Sequence, residues 1–324
     1  MIICTFLFKK LYKISINQTR VTRFILLGFS GITEQQQASL FPIFLCTYII
    51  TVVGNLCIII TYKLSPSLHT PMYFFLANLS LLEILYVTST VPKMLSCLLL
   101  NYNVITFSGC AIQMYFFVLF SGTECYILAA MAYDRYNAIC HPLMYTLIMS
   151  EMVCIQLLVA SYFIGTVNAL IHTIFTFSLP FCGPNEIDHF FCDVPPVLVL
   201  ACQQTLPGDS VTYVIAVIVV FGSFILTVIS YIEIISKILK LRSASGKRKA
   251  FATCSSHLIC VTLLYGSAIF MYFRPTSTYK VVQNSVVSLM YTVISPLLNP
   301  FIYSLRNKEV KSSVKNIYLR LAQF

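Results

Sequence analysis

Seven stretches of this sequence are apolar for long enough to cross a lipid bilayer, and that pattern leaves few folds open. They are Phe41–Tyr62, Pro71–Val91, Cys110–Tyr133, Met152–Phe177, Val211–Ile232, Ala250–Phe273 and Val281–Leu305. A membrane helix needs roughly 20 such residues to span about 30 Å of hydrocarbon. The second carries one charge, Glu83, the third one, Glu124, and the sixth a histidine, His257; the other four carry no charge. Backbone in lipid must bond to itself, which long uninterrupted segments do as helices, and the ~10-residue alternating segments of a β-barrel do not occur. Composition agrees: 58% of residues are hydrophobic and 10% charged, against about 25% charged in soluble domains. The expected fold is an all-α membrane protein, a seven-transmembrane helix bundle with a short amphipathic C-terminal helix.

The net charge of +10 is resolved by position. Thirteen Lys and Arg fall on one face: Lys237, Lys240, Arg242, Lys247, Arg248 and Lys249 after the fifth span, Arg306, Lys308, Lys311, Lys315 and Arg320 after the seventh, with Lys63 and Arg135. The other face has Lys93, Arg274 and Lys280. The basic face is cytoplasmic, so the N-terminus is outside, and no nucleic-acid role is expected. Lys9, Lys10, Lys13, Arg20 and Arg23 in the N-terminal tail oppose this bias. Met1–Phe8 is too short for a signal h-region, so no cleaved signal is expected and the first span serves as the targeting element. Asn17-Gln18-Thr19 is a glycosylation sequon suited to an outside tail, whereas Asn78-Leu79-Ser80 lies within the second span. The expected division is an extracellular tail over 1–39, a seven-helix transmembrane bundle over 40–306, and a cytoplasmic amphipathic segment over 307–324. In that segment Val310, Val314, Ile317 and Leu321 share one face.

Polar residues within the spans are the chemical candidates. Glu83 and Glu124 sit deep, where a carboxylate is costly and marks function by default; two close carboxylates either share a proton or bind a cation. Asn55 and Asn299 would complete that cluster. Asp134 beside Arg135 forms a local ion pair, and a released Arg135 reaches a partner's carbonyls through several donors; the alternative is an interfacial snorkelling pair. Pro300 frees a carbonyl and permits a kink. Helical spacing places Met114, Phe117, Val118, Ser121, Gly122 and Cys125 on one stripe of the third span. Tyr265, Ala268, Ile269 and Tyr272 form one on the sixth, Thr212, Ile215, Ala216 and Val219 one on the fifth, and Leu289 and Thr292 one on the seventh. These stripes line either a ligand pocket or helix–helix contacts. The outer halves of the third, fifth, sixth and seventh spans hold no ionic side chain below the rim, which favours a small neutral ligand held by apolar contact and by the hydroxyls of Tyr265, Tyr272, Ser121 or Thr292. His172 and His189 read as ordinary polar contacts. Of the 13 Cys, three (Cys182, Cys192 and Cys202) lie in the long outer loop Ser178–Gly208, and Cys110 opens the third span on the same side. Disulfides are favoured over zinc, with three pairings open.

Four strings then occur in order: Leu68-His69-Thr70-Pro71-Met72-Tyr73-Phe74-Phe75-Leu76; Met131-Ala132-Tyr133-Asp134-Arg135-Tyr136-Asn137-Ala138-Ile139-Cys140-His141-Pro142-Leu143; Lys249-Ala250-Phe251-Ala252-Thr253-Cys254-Ser255-Ser256-His257; and Pro296-Leu297-Leu298-Asn299-Pro300-Phe301-Ile302-Tyr303-Ser304-Leu305-Arg306-Asn307. From about Asn17 to Arg306 the chain resembles the vertebrate olfactory receptors of the rhodopsin-like G protein-coupled receptors, in their tetrapod-type class. Residues 1–16 and Asn137 depart from the family pattern. The resemblance implies an odorant receptor, not an enzyme, which raises cyclic AMP through a stimulatory heterotrimeric G protein at the plasma membrane of olfactory cilia. It implies a coupling and switch set of Asp134, Arg135, Tyr136, His257, Asn299, Pro300 and Tyr303. It also implies a Cys110–Cys192 bridge, a second bridge Cys182–Cys202, and sodium at Glu83 and Glu124 as the one cofactor candidate. A multi-pass ion channel or transporter using those two Glu is the competing reading; the absence of an internal repeat opposes it. A retinal Schiff base would need a Lys in the seventh span, and there is none.

Overall fold

The structure, a computed structural model, describes residues 21–28, 33–100, 103–181, 184–202, 206–240, 243–272, 288–306, 310 and 312–313. Five of its helices are long and apolar enough to cross a membrane. They are α1 (Glu34–Leu64), α2 (Pro71–Leu100), α3 (Phe107–Cys140), α4 (Glu151–Phe177) and α5 (Leu206–Lys240). A sixth, α6 (Ala244–Tyr272), has a shorter apolar core over Cys254–Ile269. The seventh span is described from 288 onward, as a π turn (Met290–Ile294) that runs into α7 (Ser295–Arg306). Asn17, Cys182 and nearly all of the segment expected to form the amphipathic tail helix lie outside the described residues.

The helices outrun the expected spans because they continue past the hydrocarbon into the polar boundary. α1 begins at Glu34, inside the stretch expected to be tail, because Thr33 and Gln36 form a reciprocal capping box. α3 passes through Asp134 and Arg135 to a C-cap at His141, where Pro142 stops it. α4 starts at an N-cap on Ser150, whose hydroxyl accepts from the Val153 amide. Large apolar side chains face outward along α1 (Ile43, Ile49, Val53, Ile60) and α5 (Ile218, Ile225, Ile229, Ile232), as a lipid-facing surface requires. α3 is the most buried of the spans and runs through the bundle centre. Where α3 and α4 cross, Gly165 meets α3 with no room for a side chain. A Cβ there would collide with the Thr123 hydroxyl and stand 2.8 Å from the Leu119 carbonyl.

The end of the bundle where α3 begins is closed by a small sheet. β1 (Arg23–Leu26) lies between β2 (Val104–Thr106), which is antiparallel to it, and β3 (Glu186–Ile187), which is parallel. The register pairs Phe24 with Ile105 and Leu26 with Ile187. The tail is therefore part of the lid, with Phe24 and Leu26 fully buried. The Phe24 ring stacks on Phe107 and meets Phe181 edge-on. Two residues past the strand stands Gly28, whose φ of 60° is a left-handed conformation that glycine adopts without a Cβ clash; its amide donates to the His189 carbonyl at 3.1 Å.

Candidate functional site

At the C-terminal end of α3, Arg135 is held by its neighbour. Its guanidinium donates to Asp134 Oδ2 from Nε at 3.1 Å, with a second nitrogen 2.9 Å away. Asp134 is fully buried, and its other oxygen accepts from the Tyr145 hydroxyl at 2.7 Å. Tyr145 stands on a short helix, Tyr145–Ile148, in the loop between α3 and α4. The Tyr136 hydroxyl and His141 Nε2 are 3.1 Å apart. Asn137, the departure from the family pattern, donates to the Tyr133 carbonyl at 2.8 Å and is buried. Its amide also lies 4.0 Å from Met149 Sδ, in the connection between α3 and α4.

His257, one of the residues that the resemblance assigns to coupling, sits inside the bundle. It is fully buried, with Nε2 3.1 Å from the Leu128 carbonyl and Nδ1 2.7 Å from the Tyr231 hydroxyl. A carbonyl only accepts, so Nε2 carries the proton and Nδ1 accepts from Tyr231. His257 thus braces α6 against α3 and α5.

Glu83 and Glu124 meet in the bundle centre, both buried to the point of near-complete solvent exclusion. Asn299 Nδ2 donates to Glu83 Oε1. Asn55 donates to the Thr51 carbonyl at 3.0 Å and reaches the Pro296 carbonyl on the seventh span at 3.4 Å. Glu124 lies near enough to act on the charge of Glu83. Glu83 Oε2, Glu124 Oε1, Asn299 Oδ1 and Ser295 Oγ are buried without a partner. These are hard oxygen donors, the kind a small hard cation such as sodium takes. Tyr303 and Pro300 are buried nearby on α7, with Pro300 against Gly54 of α1.

In the outer half, Met114, Phe117, Val118, Gly122, Val219, Tyr265 and Thr292 are buried. Ser121, Ile215, Ala268 and Leu289 are half-buried. The backbone of Tyr272 ends α6, and its side chain lies outside the described residues. Ile269 is exposed and leaves the stripe assigned to α6. Phe117 is the aromatic hub: its ring lies 5.4 Å from Tyr86, 4.6 Å from Phe191 and 6.1 Å from Tyr291. Three of the hydroxyls expected to hold a ligand already donate to backbone: Ser121 to the Val118 carbonyl at 3.2 Å, Tyr265 to Cys125 at 3.2 Å and Thr292 to Ser288 at 2.6 Å.

Phe191 belongs to the lid, which sequence periodicity did not reach. Cys192 is bonded to Cys110, and its amide donates to Gln113 Oε1 at 3.0 Å. Cys202 is also disulfide-bonded; its amide donates to the Pro180 carbonyl at 2.8 Å, next to the Phe181–Ala201 bridge. Asp193 caps the helix Val194–Leu198 and accepts from the Val194 amide at 2.8 Å and the Tyr291 hydroxyl at 3.2 Å. His189 Nε2 lies 2.9 Å from Ser288 Oγ. Burial pushes the Asp193 carboxyl up to about 6, with the Val194 amide and Tyr291 pulling it down; burial holds the His189 imidazole down to about 3. An Asp two residues before a Pro is a helix-start signal that marks Asp193 in the sequence. Nothing local marks its contact with Tyr291, 98 residues away.

The chain matches known sequences over nearly its whole length. A family model described as "Olfactory receptor" matches residues 44–321. Olfactory receptor 5G26 of Mus musculus is 51% identical over 300 residues, covering 92% of this chain and 93% of its own. Olfactory receptor 5G3 of Homo sapiens is 51% identical over 299 residues, covering 92% and 95%. Olfactory receptor 5AR1 of Homo sapiens is 47% identical over 309 residues, covering 95% and 99%.

Proposed function

The chain belongs to the olfactory receptor family, and from that premise we propose how it works: a small neutral volatile, bound under the lid, releases Arg135 at the opposite end of the bundle. Members of the family are multi-pass plasma-membrane G protein-coupled receptors that detect odorants, not enzymes. The channel or transporter reading of Glu83 and Glu124 falls with that membership.

The observation that carries the scheme is the pairing of two features along α3. At its outer half the Phe117 hub contacts both the lid and the seventh span; at its inner end Arg135 is engaged by a buried Asp134. A ligand acts only through its differential affinity for two arrangements. A volatile that repacks Phe117 and Tyr291 biases the bundle toward one in which α6 parts from α3 at His257 and Arg135 is free. The coupling set is then Asp134, Arg135 and Tyr136, with His257 and the Asn299-Pro300-Tyr303 segment as moving parts. The partner is the stimulatory, olfactory-type G protein, with cyclic AMP as output. The N-terminus is extracellular, Asn17 is glycosylated, Cys182 pairs with Cys202, and the receptor resides in cilia. Glu83 and Glu124 hold sodium, with Asn299 and Ser295 as further oxygen donors.

The test is a cyclic AMP reporter assay of the full chain against a panel of neutral volatiles, with Arg135→Ala as the uncoupled control. Responses that disappear in Arg135→Ala at equal surface expression are expected. A wild-type chain that reaches the surface and answers no volatile, or answers equally well with Arg135→Ala, overturns the scheme.

A further inference from the structure

Ten buried side-chain polar atoms among the described residues have no hydrogen-bond partner. Most of those outside α4 belong to the acid cluster around Glu83. Four belong to α4: Asn168 Oδ1, His172 Nδ1, Thr173 Oγ1 and Thr176 Oγ1. Asn168, His172 and Thr176 recur every fourth residue, so they stack on one face, and each side chain is more than nine-tenths buried. That face meets α3: a Cβ on Gly122 would lie 3.2 Å from Asn168 Nδ2 and 3.9 Å from Val219 of α5. The glycine leaves room for the Asn168 amide where α3, α4 and α5 converge. α3 and α4 run antiparallel through a short connection, so a turn outward along α4 matches a turn back along α3. His172 then stands at the level of Val118, and Thr176 at the level of Met114. The row runs beside the stripe of α3 assigned above to the outer pocket.

A buried donor or acceptor left unmade costs its full desolvation, so this row calls for a hydrogen-bonding partner. The pocket's expected hydroxyl anchors on α3, α6 and the seventh span are engaged with backbone carbonyls, while those on α4 are not. We propose that α4 carries the polar subsite of the receptor, formed by Asn168, His172 and Thr176, and that it selects neutral ligands bearing a hydroxyl group. Asn168 Oδ1 is an acceptor only and asks for an O–H donor; the threonine hydroxyl and the ring nitrogen of His172 take or return the second hydrogen bond of an alcohol. An ether or ketone of the same skeleton accepts but cannot donate, and leaves Asn168 Oδ1 unpaired. This inference rests on the odorant-receptor scheme above and adds the ligand class.

The experiment compares skeleton-matched alcohols, methyl ethers, ketones and alkanes in the cyclic AMP assay, with surface expression measured by flow cytometry. Thr176→Val is isosteric and Asn168→Leu keeps the branched shape with methyl groups in place of the polar atoms, so both are expected at the surface. The wild type is expected to respond to alcohols at concentrations at least about tenfold below the matched ethers. Asn168→Leu is expected to abolish that preference by raising the alcohol EC50 about tenfold with the ether EC50 held within about threefold. Thr176→Val is expected to reduce the preference in the same direction. A wild type that answers ethers and alcohols alike, or an Asn168→Leu variant that keeps the alcohol preference, overturns the inference and assigns the row to bound water. A wild type that answers no volatile overturns the underlying scheme as well, which separates the two failures.

Discussion

Tyr145→Phe tests the cytoplasmic lock most directly, because it removes a single hydroxyl. That hydroxyl donates to Asp134 Oδ1 at 2.7 Å, and Asp134 is fully buried. A hydrogen bond to a charged group contributes about 1.5–3 kcal/mol, and its loss leaves carboxylate lone pairs unsatisfied. The Asp134–Arg135 pair survives the change but loses the group that closes the far side of the carboxylate. If the bond exists only while Arg135 is held, its loss shifts the balance between held and released arrangements by about 10- to 100-fold. A resting released fraction of about 1% would then rise to roughly 10–50%. The assay is ligand-free cyclic AMP output normalised to surface receptor. A double-mutant cycle isolates the contact: Tyr145→Phe raises basal output strongly in the wild type and little in an Asp134→Asn background, where the hydroxyl has no charge to meet. Unchanged basal output at normal expression, or equal increments in both backgrounds, refutes the lock.

The rest of the structure yields three further expectations. Gly165→Ala forces a methyl against Thr123 and the Leu119 carbonyl, and such overpacking costs about 1–3 kcal/mol; a thermal-shift assay should show a lowered midpoint, and an unchanged one contradicts the crossing. The lid should show opposing pH responses. Asp193 rises from its ordinary 3.8 to about 6, so between those values the native chain keeps a proton the unfolded chain has lost, and stability falls as pH rises. His189 falls from 6.5 to about 3, so its contribution is lost as pH drops below about 6.5. Asp193→Asn removes the first response alone; its melting temperature should climb more steeply with pH across this window than that of the wild type, and parallel curves would count against a buried carboxyl. Finally, sodium titration should lower basal activity in the wild type and not in Glu124→Ala; equal sensitivity in both removes the cation from Glu83 and Glu124.

The spans were legible because hydropathy reports the solvent on every side of a helix, and lipid makes that signal continuous. Their ends were not, since a helix does not stop where the hydrocarbon does. α5 runs on through Lys237 and Lys240, and α1 starts at the Thr33–Gln36 capping box, a signal present in the sequence that the hydropathy argument passed over. Deep polar residues were legible one by one, because Glu83, Glu124 and Asp134 are expensive in lipid. Their partners were not: Asn299 and Glu83 are 216 residues apart, and helical periodicity fixes a face without saying what it meets. β1 was hidden for another reason. Four residues with two buried, Phe24 and Leu26, are too few to stand out as a strand, and only β2 and β3 give them a sheet to join.

The lid alters the reasoning about ligand charge. The sequence argument for a neutral ligand was that the outer helices carry no ion, and it placed no acid near the pocket. Asp193 is such an acid, delivered by the loop and reaching Tyr291, one ring away from the Phe117 hub. An exposed carboxylate there would favour amines. Asp193 is fully buried, however, and its two oxygens accept from the Val194 amide and the Tyr291 hydroxyl. An amine would have to displace Tyr291 and break the network that also joins Tyr291 to Ser288 and Ser288 to His189. The proposal of a neutral ligand therefore rests on an acid that is already satisfied. The unsatisfied atoms of α4 are uncharged. Asp193→Asn should accordingly loosen the lid without changing which functional group the receptor prefers, whereas Asn168→Leu should change the preference and leave the lid in place.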